Sequence, residues 1–347
     1  MIKEETKLEE HLLEVVNVSK YFRSGSYLGT KFKAVDDVSF NLDKGEILLL
    51  IGESGCGKTT LSNLILGILK PSSGFIKYKG KIISKLRRNE KKYFIREIQP
   101  IFQDPYSTFN PFVRVDYYFK EVCLNFGIAK ENSEIDQKIS TVLNQVKMNT
   151  EIKGKFTHQF SGGQLQRLSI ARALLTKPSL LIADEAVTMI DASLRVGILN
   201  IFADLNKDLN LAIIFISHDL SVGYYMVELS EKIKIIVMYR GTVVEEAPGE
   251  SLFANPLHPY TRQLIESVPS IDPDRKWHST TKHVVLELEE FNLNGCKYVK
   301  RCPFAMDICE KEDPPLLSLG KSKVRCWLYA NVKDKNLTID SLTKNGK

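Results

Sequence analysis

Ile47-Leu48-Leu49-Leu50-Ile51 runs straight into Gly52-Glu53-Ser54-Gly55-Cys56-Gly57-Lys58-Thr59-Thr60, and an apolar helical pattern follows. Strand, glycine-rich turn, helix is the order in which backbone N–H groups gather on a phosphate. The glycines let the chain turn so that successive amides face one point, and the helix start adds the positive end of its dipole. In such a loop Lys58 reaches toward the terminal phosphates of a nucleotide, and the Thr59 hydroxyl ligates magnesium. Cys56 lies among these amides beside Lys58, a setting expected to lower a thiol pKa and to expose the sulfur to alkylators. Its sulfur has no expected role in catalysis.

A second chemical group closes another apolar run, Leu180-Leu181-Ile182-Ala183-Asp184-Glu185. Carboxylates at the mouth of a buried strand are costly unless a cation or a polarised water meets them. With the phosphate loop upstream, Asp184 fits the magnesium shell, and Glu185 fits the group that orients or deprotonates an attacking water.

Phe160-Ser161-Gly162-Gly163-Gln164 adds the third motif. Together the three resemble the signature set of ATP-binding-cassette ATPases. The resemblance implies that Ser161, Gly162, Gly163 and Gln164 cover the γ-phosphate held by the loop of an opposite subunit. It also implies that Gln103, in Ile101-Phe102-Gln103-Asp104-Pro105, touches magnesium and water and links the site to a membrane partner. Asp191 resembles the aspartate of the D-loop, and His218, in Ser217-His218-Asp219, resembles the switch histidine that contacts the γ-phosphate. Of the two aromatics before the loop, Tyr21 and Phe22, the family spacing favours Phe22 as the ring that stacks on adenine.

Within that family, three stretches resemble the ATPases of oligopeptide, dipeptide and nickel importers. They are Gln103–Pro111, Asn255–Thr261 and the Cys302-Pro303 pair. Ala186 stands where the family usually has proline, and Thr188-Met189-Ile190-Asp191 replaces the commoner Ser-Ala-Leu-Asp. Neither change removes a phosphate, magnesium or water ligand.

Cys296, Cys302, Cys309 and Cys326 are separated by five, six and sixteen residues and include no C-x-x-C pair. In a cytosolic chain such a group reads as metal ligation before disulfides. Four thiolates can hold zinc or an iron–sulfur cluster, and free structural thiols are a third reading. The importer resemblance implies a four-cysteine iron–sulfur site, with zinc as the alternative.

The elements that must position these groups are also patterned. Apolar runs at Leu13–Val18, Ala34–Leu42, Ile47–Ile51 and Phe75–Tyr78 predict strands, with a helix over Lys58–Leu69 among them. Residues Val115–Thr176 read as helical, and strands Leu180–Ala183 and Ile213–Ile216 flank a further helix. Strand, helix, strand favours a parallel sheet buried on both faces. The expected fold is therefore α/β: a P-loop NTPase core with an antiparallel β subdomain and a helical signature subdomain over about 112–176, all within residues 1–246. A small cysteine-rich unit over 247–330 and a polar tail over 331–347 complete the reading.

Composition narrows the class. With 43% hydrophobic and 26% charged residues among 347, most of the chain should fold, and the length suits roughly two domains. No run approaches the about 18 apolar residues of a spanning helix, and the opening MIKEETKLEE lacks a secretory layout, so export is not expected. A net charge of +6 is too weak to imply nucleic-acid binding. From Lys77 to Arg96, nine basic side chains face one acid, Glu90, which reads as a solvated face or as attraction to anionic headgroups or a phosphate.

The expected function is ATP hydrolysis by an importer subunit, for oligopeptides or dipeptides, at the cytoplasmic face of the cell membrane. Only one P-loop occurs, so a second cassette is expected, which the importer resemblance makes a paralogue rather than a copy, together with two permeases and, indirectly, an extracytoplasmic solute receptor. A rival is a soluble cassette ATPase of nucleic-acid or ribosome maintenance. That class carries coiled-coil insertions or paired cassettes, and neither is found here. A nucleotide-switched scaffold is a third reading, opposed by Glu185 and His218.

Overall fold

A computed structural model describes residues 11–24, 30–268 and 291–330. Two sheets carry the chain. Strands β1 (Leu13–Ser24), β2 (Thr30–Leu42), β4 (Ser73–Tyr78) and β5 (Lys81–Ile82) form an antiparallel sheet in the order β2-β1-β4-β5. The larger sheet holds β3 (Ile47–Ile51), β6 (Ile98–Ile101), β7 (Leu180–Asp184), β8 (Ala212–Ser217), β9 (Ile233–Tyr239), β10 (Thr242–Pro248), β11 (Leu316–Leu319) and β12 (Ser322–Arg325). Its order is β11-β12-β10-β9-β3-β8-β7-β6, and every pairing from β9 to β6 is parallel.

The continuous apolar runs read from the sequence are explained by burial on both faces. Ile47, Leu49 and Ile51 join one core with Leu181, Ala183, Ile213 and Phe215. Leu48 and Leu50 point the other way, into a core with Leu180, Ile182, Ile214 and Ile216. The parallel register brings the C-terminal ends of β3, β8, β7 and β6 to one rim, where ligands of open α/β sheets bind.

One expected boundary needs correction and two further readings are refined. The helix after the phosphate loop spans Lys58–Ile65 rather than running to Leu69, because Gly67 takes φ +68° and turns the chain away. The stretch Val115–Thr176 is three helices, Val115–Phe126, Asn132–Gln145 and Gly162–Leu174, separated near residues 146–161 by irregular chain. Gly127 at φ +65° and Lys147 at φ +56° end the first two of these.

Beyond residue 245 the chain is also less detached than its prolines suggested. The β11–β12 hairpin extends the main sheet, with Glu245 opposite Val324 and Glu246 opposite Lys323. The buried Glu245 carboxylate accepts the N–H groups of Leu257 and His258, both at 2.8 Å, and so fixes the entry to the Pro259–Glu266 helix.

In the basic stretch, Lys77 pairs with Glu14, Lys79 with Glu97 and Lys81 with Glu90. Three of the nine basic side chains are therefore met by acids of the same fold.

Candidate active site

The phosphate loop leaves β3 at the shared rim. Gly55 and Gly57 sit at φ +80° and +109°, and a Cβ on Gly52 would lie 2.2 Å from the Met238 carbonyl oxygen. Gly52 is thus required by the close approach of β9 and Gly57 by the left-handed turn into the helix. Lys58, only 5% exposed, curls back to donate to the carbonyls of Gly52 (2.7 Å) and Glu53 (2.9 Å). Glu53 donates its own N–H to the Tyr260 hydroxyl at 3.0 Å, and its carboxylate meets Arg301 Nη1 at 3.0 Å.

Cys56 departs from its expected chemistry. It is 3% exposed, and burial pushes its thiol pKa up despite Lys58 nearby, so desolvation outweighs the amides and the ammonium. The thiol is thus buried and held protonated rather than poised as a thiolate.

The acidic end of β7 meets the loop. Burial raises the Asp184 carboxyl above the usual range, opposed by a hydrogen bond from Thr59 and by Lys58, while Glu185 pushes the same way as burial. Asp184 Oδ1 is buried with no protein partner. A hydroxyl and a dehydrated, half-satisfied carboxylate side by side are a donor set suited to a hard divalent cation such as magnesium.

Glu185 holds φ +49°, uncommon for a non-glycine residue, and its N–H is fixed by the Ile216 carbonyl of β8 at 3.0 Å. Its carboxylate bridges two further site residues. Oε2 accepts from Gln103 Nε2 at 2.9 Å, and Oε1 lies 3.1 Å from His218 Nδ1. Residues from β6, β7 and β8 thus converge on a single carboxylate beside the phosphate loop.

A cavity of about 230 Å³ adjoins the loop, lined by Ser54, Gly55, Lys58, Thr59, Thr60 and Glu185 at one end and by Phe22, Phe32 and Phe291 at the other. Phe22 faces Phe32 across the β1–β2 register, with ring centroids 5.9 Å apart, and Phe291 lies 6.0 Å from Phe32. Tyr21 instead packs under Lys31, whose Nζ is 4.2 Å from the ring centroid. Sequence reading missed Phe32 and Phe291; strand pairing with Phe22 is a signal for the first, and nothing local marks the second.

The signature is built but lies elsewhere. Ser161 caps the Gly162–Leu174 helix, exchanging hydrogen bonds with Gln164: Ser161 N–H to Gln164 Oε1 at 3.0 Å, and Gln164 N–H to Ser161 Oγ at 3.4 Å. Ser161, Gly163 and Gln164 line a different cavity, with Arg167 and Leu194, and no signature residue lines the cavity at the phosphate loop. Asp191 is exposed at the start of the Ala192–Leu209 helix. Gln166, fully buried, ties the signature helix to the segment before Gln103 by donating to the Phe102 carbonyl at 3.2 Å.

The cysteine expectation is not carried by the geometry. Cys296 N–H donates to the Cys309 carbonyl at 2.8 Å, which draws these two segments together. Burial pushes the thiols up, Cys296 to about 11 and Cys326 to about 12, with Cys302 also raised. Among the described residues no group of three or more His, Cys, Asp or Glu side chains is arranged to hold a metal ion. The segment is held instead by β12 pairing, by Arg325 on Asp313 and by the Tyr329 hydroxyl donating to the Leu257 carbonyl.

The ABC transporter family profile matches residues 35–188, and the oligopeptide/dipeptide transporter C-terminal region matches 244–309. A probable peptide ABC transporter ATP-binding protein of Sinorhizobium fredii is 39% identical over 93% of this chain and 91% of its own length. The chain belongs to the ATP-binding subunits of ABC transporters. The oligopeptide transport ATP-binding protein AppF of Bacillus subtilis is 38% identical over 93% of this chain and 98% of its own. The dipeptide transport ATP-binding protein DppF of Escherichia coli is 34% identical over 97% and 99%. Among solved structures, cbiO1 of Clostridium perfringens superposes with a TM-score of 0.60, at 27% identity, covering 71% of this chain and 92% of that one. A cassette dimer holding ADP and phosphate, 24% identical, shares the fold with a TM-score of 0.59 over 68% of this chain and 98% of that one. The subunit is an ATPase, and no helix among its described residues is long and apolar enough to cross a membrane.

Proposed function

We propose that this subunit powers the import of short peptides through two permease partners, as a peripheral protein on the cytoplasmic face of the membrane. The observation that carries the chemistry is the single carboxylate of Glu185 gripped by Gln103 and His218 beside the phosphate loop. The C-terminal match at 244–309 and the names of the relatives support the peptide class.

In this reading Phe22, with Phe32 and Phe291, receives the adenine, and the loop Gly52–Thr60 holds the phosphates through Lys58 and those of its amides that are not already bonded within the protein, as the Glu53 N–H is to Tyr260. Thr59, Asp184 and Gln103 would hold magnesium, which supplies charge neutralisation on the phosphate oxygens when bound. Glu185 accepts the proton of the attacking water, Gln103 fixes the direction of its carboxylate, and His218 steadies the γ-phosphate. The signature of a second cassette completes the site, because Ser161 and its neighbours lie away from this chain's own loop. Exposed apolar side chains follow Gln103, among them Tyr106, Phe112 (82% exposed) and Tyr117. They suit contact with a membrane partner.

Purification of the tagged chain from native membranes, followed by labelled tripeptide uptake in cells carrying Glu185→Gln, tests the reading. The expected result is co-purification with two membrane-spanning polypeptides and loss of uptake. Uptake at the parental rate, or a chain that leaves the membrane with no such partner, overturns it.

A further inference from the structure

Glu53, the second residue of the phosphate loop, is held at every polar group it has. Its N–H donates to Tyr260, its carbonyl accepts from Lys58, and both carboxylate oxygens lie 3.0 Å from Arg301 Nη1. Arg301 comes from 248 residues downstream. Its side chain is 13% exposed, and its guanidinium sits 5.9 and 5.8 Å from the ring centroids of Tyr239 and Tyr298. Tyr260 is fully buried against the same rings, with centroids 4.6 Å from Tyr239 and 5.5 Å from Tyr298. An aromatic platform therefore presents a partly dehydrated cation to a single acid of the loop.

A carboxylate is an adverse group in a loop that must gather a triphosphate, since like charges repel most strongly where water is thin. We propose that Arg301 screens the Glu53 carboxylate, so that the C-terminal segment sets the affinity of the phosphate loop for ATP. Arg301 is a positioning and screening residue, and it does not line the cavity at the phosphate loop. The inference rests on the reading that Gly52–Thr60 binds the triphosphate. It adds that this binding depends on a residue far outside the loop.

Equilibrium titration of the full-length chain with a fluorescent ATP analogue and magnesium tests it. Arg301→Ala should weaken binding about tenfold. In turnover assays the KM for ATP should rise while kcat at saturating ATP stays within about twofold. Adding Glu53→Gln to Arg301→Ala should return the affinity to within about threefold of the parent, because the uncompensated charge is then gone. Glu53→Gln alone, with Arg301 intact, should bind at least as tightly as the parent, and this variant decides the question if Arg301→Ala does not fold. Parental affinity in Arg301→Ala, no recovery in the double variant, or weaker binding in Glu53→Gln would each overturn the proposal. A Lys58→Ala chain titrated alongside separates the two levels: parental affinity there removes the loop itself as the site, whereas its loss together with an unchanged Arg301→Ala removes only the screening role.

Discussion

On the function proposed above, Glu185 concentrates the chemistry of the molecule in one side chain. With Gln103 on one oxygen and His218 on the other, its carboxylate has little freedom to rotate, and its backbone is pinned at positive φ by β8. Glu185→Gln keeps the shape and removes the base; ATP affinity should hold while turnover falls by about 100-fold or more, read by phosphate release. Cys56 offers a contrasting prediction. Because burial rather than Lys58 governs its thiol, iodoacetamide should label it more slowly than an unfolded-chain cysteine at the same pH. The residues that were legible in the sequence were those contiguous with the phosphate loop or ending a buried strand, since their spacing is dictated by local backbone geometry. Phe291 and Arg301 were not legible, because tertiary folding alone brings them to the loop, and Phe32 is marked only by its pairing with Phe22 across β1 and β2. The Cys56 expectation failed for the same reason: neighbours in sequence show the charge beside a thiol but not the atoms that exclude water from it.

At the scale of elements, the strands were readable because two buried faces demand unbroken apolar runs, and β3, β7 and β8 fall where those runs do. Helix ends were less readable: Gly67 and Lys147 break a periodicity that the apolar residues alone would continue. One junction between elements has a testable pH signature. His258 caps the Pro259–Glu266 helix by accepting the Tyr260 N–H at 3.1 Å, and its burial drives the imidazole pKa from 6.5 down to about 3. The folded state therefore binds fewer protons than the unfolded one, so the contribution is complete above pH 6.5 and is lost as pH falls toward 3. His258→Asn keeps a capping side chain without the titration, and its melting temperature should drop less between pH 7 and about 4.5 than that of the parent. The neighbouring Glu245 runs the other way, with burial raising it from 4.5 to about 7, so its contribution is present at acid pH and is lost as pH rises through about 7. Glu245→Gln should therefore remove the loss of stability that this carboxyl causes between pH 4.5 and about 7.

For the whole molecule, the signature and the phosphate loop of one chain line different cavities, so on the proposed function a single chain supplies half of each working site. Ser161→Arg should leave ATP affinity of the isolated chain within about twofold of the parent while lowering turnover of the assembled pair by about 100-fold, a split that titration and phosphate release measure separately. The β11–β12 hairpin bears on a different property. It covers the flank of β10 with short strands of four residues each, the second of which carries Lys323 and Arg325. A chain cut before Leu316 would leave β10 with unsatisfied amides and carbonyls along an open margin, which is a template for adding strands from other molecules. Such a truncation should precipitate when concentrated even with its nucleotide residues intact, so this hairpin guards solubility as well as shape.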